Sequence, residues 1–364
     1  MRSMSVAMAA ALAIWAIQWV FVTAVLVIVP CSAEVAEVAR QYFYVRIWAA
    51  PATLMLFTFK GWFIGMQDTR SPMAVDILVN VVNMAASYSL AVYTPAGVVG
   101  VAWGTLIAQY SGLILAIVIL AARYFDLSAF RPIERWKEAL RGSELRRMMS
   151  LNGNLFIRSL CFMVVYVGYT SIASTYGDVE LAVSSILMKL FMFFSFFVDG
   201  FAYAGEALVG KTWGKVQRTK NEVQGTKDEV QGTKDEVQGV VRALFNWAIG
   251  VGLFFTAVYA LWGDESIELL TNDAAVLAAS ANYTGWLIAM PIISTLAFMW
   301  DGVFIGATAG VQIRNSMIWA AVGFVAGYAA TYRFVGPQAL YIGYFAHLIA
   351  RAVYLSVEWG KLKE

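Results

Sequence analysis

Four polar side chains interrupt an otherwise apolar stretch at intervals of 4, 3 and 4: Asp76, Asn80, Asn83 and Ser87. That spacing puts all four on one face of an α-helix, each above the next. A carboxylate followed by two amides and a hydroxyl suits the lining of a water-filled cation cavity. Thr105 and Gln109, one turn apart in the next apolar stretch, add a second short polar face. The pattern recurs farther along: Asp199, Tyr203, Glu206 and Gly210 keep the same 4, 3, 4 intervals, and Asn154, Arg158 and Cys161 share a face just before them. Ionisable groups in apolar helices are costly and ordinarily line a water-filled cavity or meet a partner. The same residue types also serve as interhelical glue. Arg158 is expected to neutralise Asp199 or Glu206 as a buried pair, whereas Lys189 is too far along the helix from Asp199 to do so.

The elements that carry these residues are membrane spans. The chain is 60% hydrophobic and 14% charged, against about 25% charge in a soluble domain. Apolar runs of roughly 20 residues recur throughout, and they are continuous rather than alternating, which excludes a β-barrel. The reading is an all-α polytopic membrane protein with ten spans: 4–29, 38–66, 72–92, 98–125, 148–175, 181–210, 240–261, 274–307, 313–331 and 340–357. The first run is too long for a signal-peptide core and lacks a cleavage site. Basic residues gather in one set of loops (Arg2, Arg70, Arg131 to Arg147, Lys211, Lys215, Arg314, Lys361, Lys363). Acidic ones (Glu34, Glu37, Asp178, Glu180, Asp264, Glu265, Glu268, Asp273) gather in the other set, with Arg333 the exception. By the positive-inside rule both termini are cytoplasmic.

A second pattern divides the chain in two. Lys60-Gly61-Trp62-Phe63-Ile64-Gly65 returns 241 positions later as Asp301-Gly302-Val303-Phe304-Ile305-Gly306, and Leu106-Ile107-Ala108-Gln109 is answered by Leu348-Ile349-Ala350-Arg351. A repeat of this length in an apolar chain implies two related, pseudo-symmetric membrane lobes, the usual build of a secondary transporter. The lobes are expected at 1–125, with four spans, and 148–364, with six. Lys60 and Asp301 hold equivalent positions near the cytoplasmic end, so their opposite charges suit a latch between lobes; positions so near the interface also suit plain solvation. Between the lobes, 126–147 is expected to be an amphipathic surface helix. Pro132 stands in its first turn, Ile133, Trp136 and Leu140 lie on one face, and arginines serve anionic headgroups.

The segment 214–239 is a low-complexity insert in which Val-Gln pairs recur every seven residues from Val216 to Val237. A coiled-coil seam needs two apolar residues per heptad, and Gly225, Gly232 and Gly239 each cost about 1 kcal/mol in a helix. The expectation is a solvated, frayed cytoplasmic excursion. The lone His347, one turn before Arg351, reads as a packing residue more readily than as a proton relay. Cys31 and Cys161, in a loop and inside a span, read as passive and unbonded. There is no metal-ligand set, nucleophile elbow or phosphate loop, so no enzyme chemistry and no bound cofactor are expected.

The three segments Gly61 to Gly65, Asp199 to Ala207 (Asp-Gly-Phe-Ala-Tyr-Ala-Gly-Glu-Ala) and Asp301 to Thr308, with Arg314-Asn315-Ser316-Met317, resemble the multidrug and toxic compound extrusion (MATE) family, in its DinF-like branch. The resemblance covers nearly the whole chain outside the insert. It implies a xenobiotic transmembrane transporter of the bacterial inner membrane, a monomer that exports small cationic or amphipathic molecules against inward H+ or Na+ flow by alternating access, with no nucleic-acid partner. Asp76, Asn80, Asn83, Thr105 and Gln109 would line the cavity of the first lobe, and Arg158, Asp199, Tyr203 and Glu206 that of the second. Asn83 and Thr105 match positions that cation-site residues hold in archaeal relatives. Ser87 stands where many relatives carry an aspartate. The family pattern is twelve spans, so the resemblance implies two more spans ahead of Met1, one bearing an acidic coupling residue. Misassigned start, truncation and a true ten-span chain all remain open. A lipid-linked precursor flippase of the same superfamily is an alternative, with Lys60, Lys189 and Arg158 as its few basic candidates. A non-transporting truncated membrane protein is another.

Overall fold

The computed structural model describes residues 2–28, 33–124, 143–221 and 227–363. All regular structure there is helical, and ten helices among the described residues are long and apolar enough to cross a membrane. The chain divides into two compact units, Met1–Arg146 and Arg147–Glu364. The expected surface helix at 126–147 lies outside the described residues except for its end, which opens the next span; Cys31 lies outside them too.

The first unit comprises α1 (Arg2–Ile28), α2 (Ala33–Arg46), α3 (Ala50–Gly65), α4 (Arg70–Val92) and α5 (Gly97–Tyr124). The span expected at 38–66 is broken by one 3-10 turn, Ile47–Ala49, just ahead of Pro51. Proline has no N–H and its ring crowds the carbonyl four residues back, which is that of Ile47. Exposed carbonyls are not tolerated in lipid. Here the Trp15 indole donates to Ile47 O at 3.1 Å and the Tyr110 hydroxyl donates to Trp48 O at 3.1 Å. The tightest seam is α4 on α5. A side chain at Gly100 or Gly104 would strike the backbone of Leu90 or Ser87, and one at Gly112 would strike Val79. Small residues are what lets two membrane helices approach so closely. Leu56, Phe59, Phe63, Val75 and Ala116 form the core beneath.

The second unit comprises α6 (Ser143–Thr175), α7 (Asp178–Asn221), α8 (Lys227–Glu268), the short α9 (Ala274–Ser280), α10 (Thr284–Gly306), α11 (Gly310–Val335) and α12 (Gln338–Lys363). The span expected at 274–307 is again split: Asp273 caps α9 through the N–H groups of Ala275 and Val276, and a turn precedes α10. Helix α10 is the buried centre of the unit, packed against α7, α8 and α12. Its Gly302 rests on the Ala202 backbone, and Gly306 on that of Glu206 and Gly210.

The insert departs from expectation. Its described residues, up to Asn221 and from Lys227, prolong the two spans that flank it: α7 runs 44 residues, about 65 Å at 1.5 Å per residue, and α8 runs 42 with a kink at Trp262. The α7 length is about twice the thickness of a hydrocarbon core. Val216 and Val237 are buried together with Trp213 and Val241, and Lys215 grips Glu236 at 2.7 and 3.0 Å. Helix nucleation is the costly step, and here the spans have already made it, so Gly232 and Gly239 ride inside α8 despite their propensity.

Candidate functional site

The internal repeat has a backbone counterpart. Gln67 and Thr308, 241 positions apart, are the non-glycine residues with positive φ among the described residues, at 62° and 57°. In each copy the helix closes identically. Gln67 N–H donates to Ile64 O and Asp68 N–H to Phe63 O, both at 2.9 Å; Thr308 donates to Ile305 O and Ala309 to Phe304 O at the same distance. The copies diverge in what they hold.

In the first unit Lys60, on the last turns of α3, reaches across to Asp76 on α4. The lysine is 27% exposed and the aspartate 49%, so the pair stands at the unit's surface. The rest of the stripe turns inward to α5. Asn83 Nδ2 donates to Thr105 Oγ1 at 3.0 Å, the Ser87 hydroxyl reaches Val101 O at 3.4 Å, and Thr105 also donates to Val101 O at 3.0 Å. Asn80 folds back on its own helix, to Asp76 O at 2.9 Å. One sequence stripe therefore does two jobs: an ion pair at one end and a hydrogen-bonded seam at the other. Gln109 is half-buried on α5.

Sequence reasoning missed the knot beneath this stripe. Asp68, between α3 and α4, accepts from the N–H groups of Arg70 (3.2 Å) and Ser71 (3.1 Å), from the Ser71 hydroxyl, and from Tyr124 at 2.9 Å; Arg123 stands at 3.5 Å. Desolvation pushes its carboxyl upward, but the bonds from Ser71 and Tyr124 and the Arg123 charge prevail and hold it below the ordinary carboxylate value. An aspartate followed closely by a helix start is the signal that would have found it.

In the second unit the polar residues assemble differently from expectation. Arg158 pairs with neither Asp199 nor Glu206. Its guanidinium goes to Asp301 at 2.5 Å. Asp301 is not solvated: it is 5% exposed, and Arg351 grips it at both carboxylate oxygens, Nε to Oδ1 at 3.2 Å and Nη2 to Oδ2. Burial explains the change. Asp301 lies on the innermost helix, where a carboxylate left without cations would be prohibitively costly, whereas Asp199 and Glu206 on α7 are only half-buried. Asp199 forms no ion pair with a described residue, but lies within electrostatic reach of Asp301, Arg351 and Arg158. Glu206 likewise forms no ion pair with a described residue. Tyr203, between them on α7, is exposed. Asn154 is buried and accepts from Arg314 at 3.0 Å, and Cys161 is a free thiol. His347 is 1% exposed, with no hydrogen-bond partner at Nδ1, its ring 5.8 Å from that of Tyr344. Among the described residues no three His, Cys, Asp or Glu side chains converge on a metal position. At the opposite end of this unit the Tyr176 phenol is pushed up to about 12 by burial and by the Tyr328 hydroxyl at 3.0 Å.

The helical fold is shared with known proteins. The DNA damage-inducible protein F of Escherichia coli K12 is 30% identical over 334 residues, 92% of this chain and 68% of that protein. The chain belongs to the MATE family. A family profile described as MatE matches residues 1–89. Protein DETOXIFICATION 44, chloroplastic, of Arabidopsis thaliana is 22% identical over 82% of the chain, which spans 52% of that relative. The fold is that of solved MATE transporters. A MATE structure in complex with MaL6 superposes with a TM-score of 0.82 at 16% identity, over 99% of this chain and 77% of the other. A transporter of the MOP superfamily from Pyrococcus furiosus gives 0.82 at 16% identity, over 99% and 76%. The MATE chain is therefore a multi-pass membrane protein of a transporter family and not an enzyme.

Proposed function

We propose that this chain exports small organic cations or amphipathic molecules across the bacterial inner membrane, in exchange for protons or sodium ions. The observation that carries this reading is Asp76: a half-exposed carboxylate on a membrane helix, tethered to Lys60 and followed along the same face by Asn80 and Asn83. A carboxylate is retained in such a place for a cationic partner, and a lysine is one that a substrate or proton displaces. Glu206 offers the second lobe a carboxylate that no described cation neutralises. Membership of a family whose plant relatives are named for detoxification supports the substrate class. The distribution of basic loop residues supports cytoplasmic termini. The protein works as a monomer that alternates access between its lobes.

The test is resistance to a lipophilic cation such as ethidium in a bacterial strain lacking its own efflux pumps. The chain should confer resistance, and E206Q and D76N should abolish it while reaching the membrane at normal levels. Full resistance in E206Q would remove its coupling role; full resistance in both variants would remove the proposed cavity.

A further inference from the structure

We propose that the second lobe carries its own tethered cation: the Arg351 guanidinium, with Arg158, permanently fills Asp301, so that no free metal ion binds there. The geometry leaves little room for another ligand. Both carboxylate oxygens of Asp301 accept from Arg351, and Oδ2 accepts from Arg158 as well. A carboxylate engaged this way by a guanidinium fork is in its strongest hydrogen-bonded arrangement, with three of its roughly four acceptor positions taken. A sodium ion approaching it would meet two fixed positive charges at close range, in surroundings that screen them poorly. Arg351 is 1% exposed, so water cannot easily take its place, and its guanidinium also lies 5.6 Å over the Phe298 ring.

The repeat sharpens the point. Lys60 stands at the position equivalent to Asp301, and Gln109 at that of Arg351. The first lobe thus lacks the buried pair. It holds its cation on α3 and its carboxylate on α4, both partly exposed. The second lobe seals its pair on α10 and α12. Ion exchange is therefore left to Asp76, Asp199 and Glu206, and Asp301 serves as a fixed, neutralised strut. This refines the ion-coupled reading above and takes its functional meaning from it, but sodium binding is measured without transport, so the two fail separately.

The experiment is equilibrium binding of radiolabelled sodium to the detergent-purified full chain. It is paired with thermal unfolding in sodium chloride and in N-methylglucamine chloride at equal ionic strength. Wild type and D301N should bind sodium to the same extent, and the dependence of the melting temperature on the cation should be the same in both. R158Q/R351Q, which uncovers Asp301 beside Asp199, should gain sodium binding and a melting temperature that rises saturably with sodium. R351K, which keeps a tethered cation, should match the wild type. Sodium binding by the wild type that D301N abolishes would overturn the proposal, even if the double variant fails to fold. So would a folded R158Q/R351Q whose sodium binding and salt response match those of the wild type.

Discussion

Gln67 and Thr308 adopt the same left-handed backbone at the same point of the two repeat copies, φ 62° and 57°. An L-residue pays roughly 1–2 kcal/mol for this conformation, which glycine does not, and a β-branched residue fits it worst. T308G should therefore raise the melting temperature, and Q67G should raise it less. Unfolding of the purified variants by intrinsic fluorescence measures both; a drop in T308G would show that its side-chain contacts outweigh the strain.

The glycines of the two copies should not be equally sensitive. A Cβ at Gly302 would collide with the Ala202 backbone and one at Gly306 with that of Glu206, while Gly61 and Gly65 have nothing within 4 Å among the described residues. Forcing two packed helices apart costs typically 1–3 kcal/mol, occasionally more. G302A and G306A should lower folded yield and melting temperature sharply, and G61A and G65A should leave them near wild type. Size-exclusion profiles in detergent would reveal the difference.

Asp68 should make the first lobe acid-sensitive. Its folded value is depressed, so the stabilisation is fully present above the ordinary aspartate value of 3.8 and is lost as pH falls through the lower folded value. D68A should lower stability by roughly 0.5–2 kcal/mol, the usual cost of losing a helix-start cap, and D68N, which keeps an accepting oxygen but cannot titrate, should flatten the dependence below about pH 4. A melting-temperature profile from pH 3 to 7 checks it; parallel profiles for wild type and D68N would contradict it.

Much of this architecture was legible before any coordinates. The spans announce themselves by apolar length, and the repeat of Gly61 to Gly65 at Gly302 to Gly306 foretells two lobes; the break ahead of Pro51, inside the span read as 38–66, was not legible. The ion pairs were not legible, for a physical reason. Helical spacing shows which residues share a face, but not which distant helix that face meets. Arg158 finds Asp301 across 143 positions, and no periodicity encodes that. Arg351 did leave a trace, as a basic residue in an apolar span. The insert was misjudged because one valine per heptad is too few for a free coiled coil, yet Val216 and Val237 suffice for two arms already held by their spans.

It follows that the two helical arms should tolerate shortening by whole repeats. Deleting Thr226–Gly232 removes one seven-residue copy and leaves Trp213, Val216, Val237 and the Lys215–Glu236 pair in place. Melting temperature and helical circular dichroism per residue should stay at wild-type values. V216D, which buries a charge against Val237, should lower the melting temperature; equal stability would mean that the arms do not pack.

The central claim is gradient-driven export by this chain, and reconstitution into sealed liposomes tests it most directly. With an imposed pH or sodium gradient, the full chain should move a lipophilic cation such as tetraphenylphosphonium against its own gradient, and D76N and E206Q should abolish that movement. A correctly folded, fully inserted chain showing no gradient-dependent flux above empty liposomes would contradict the account.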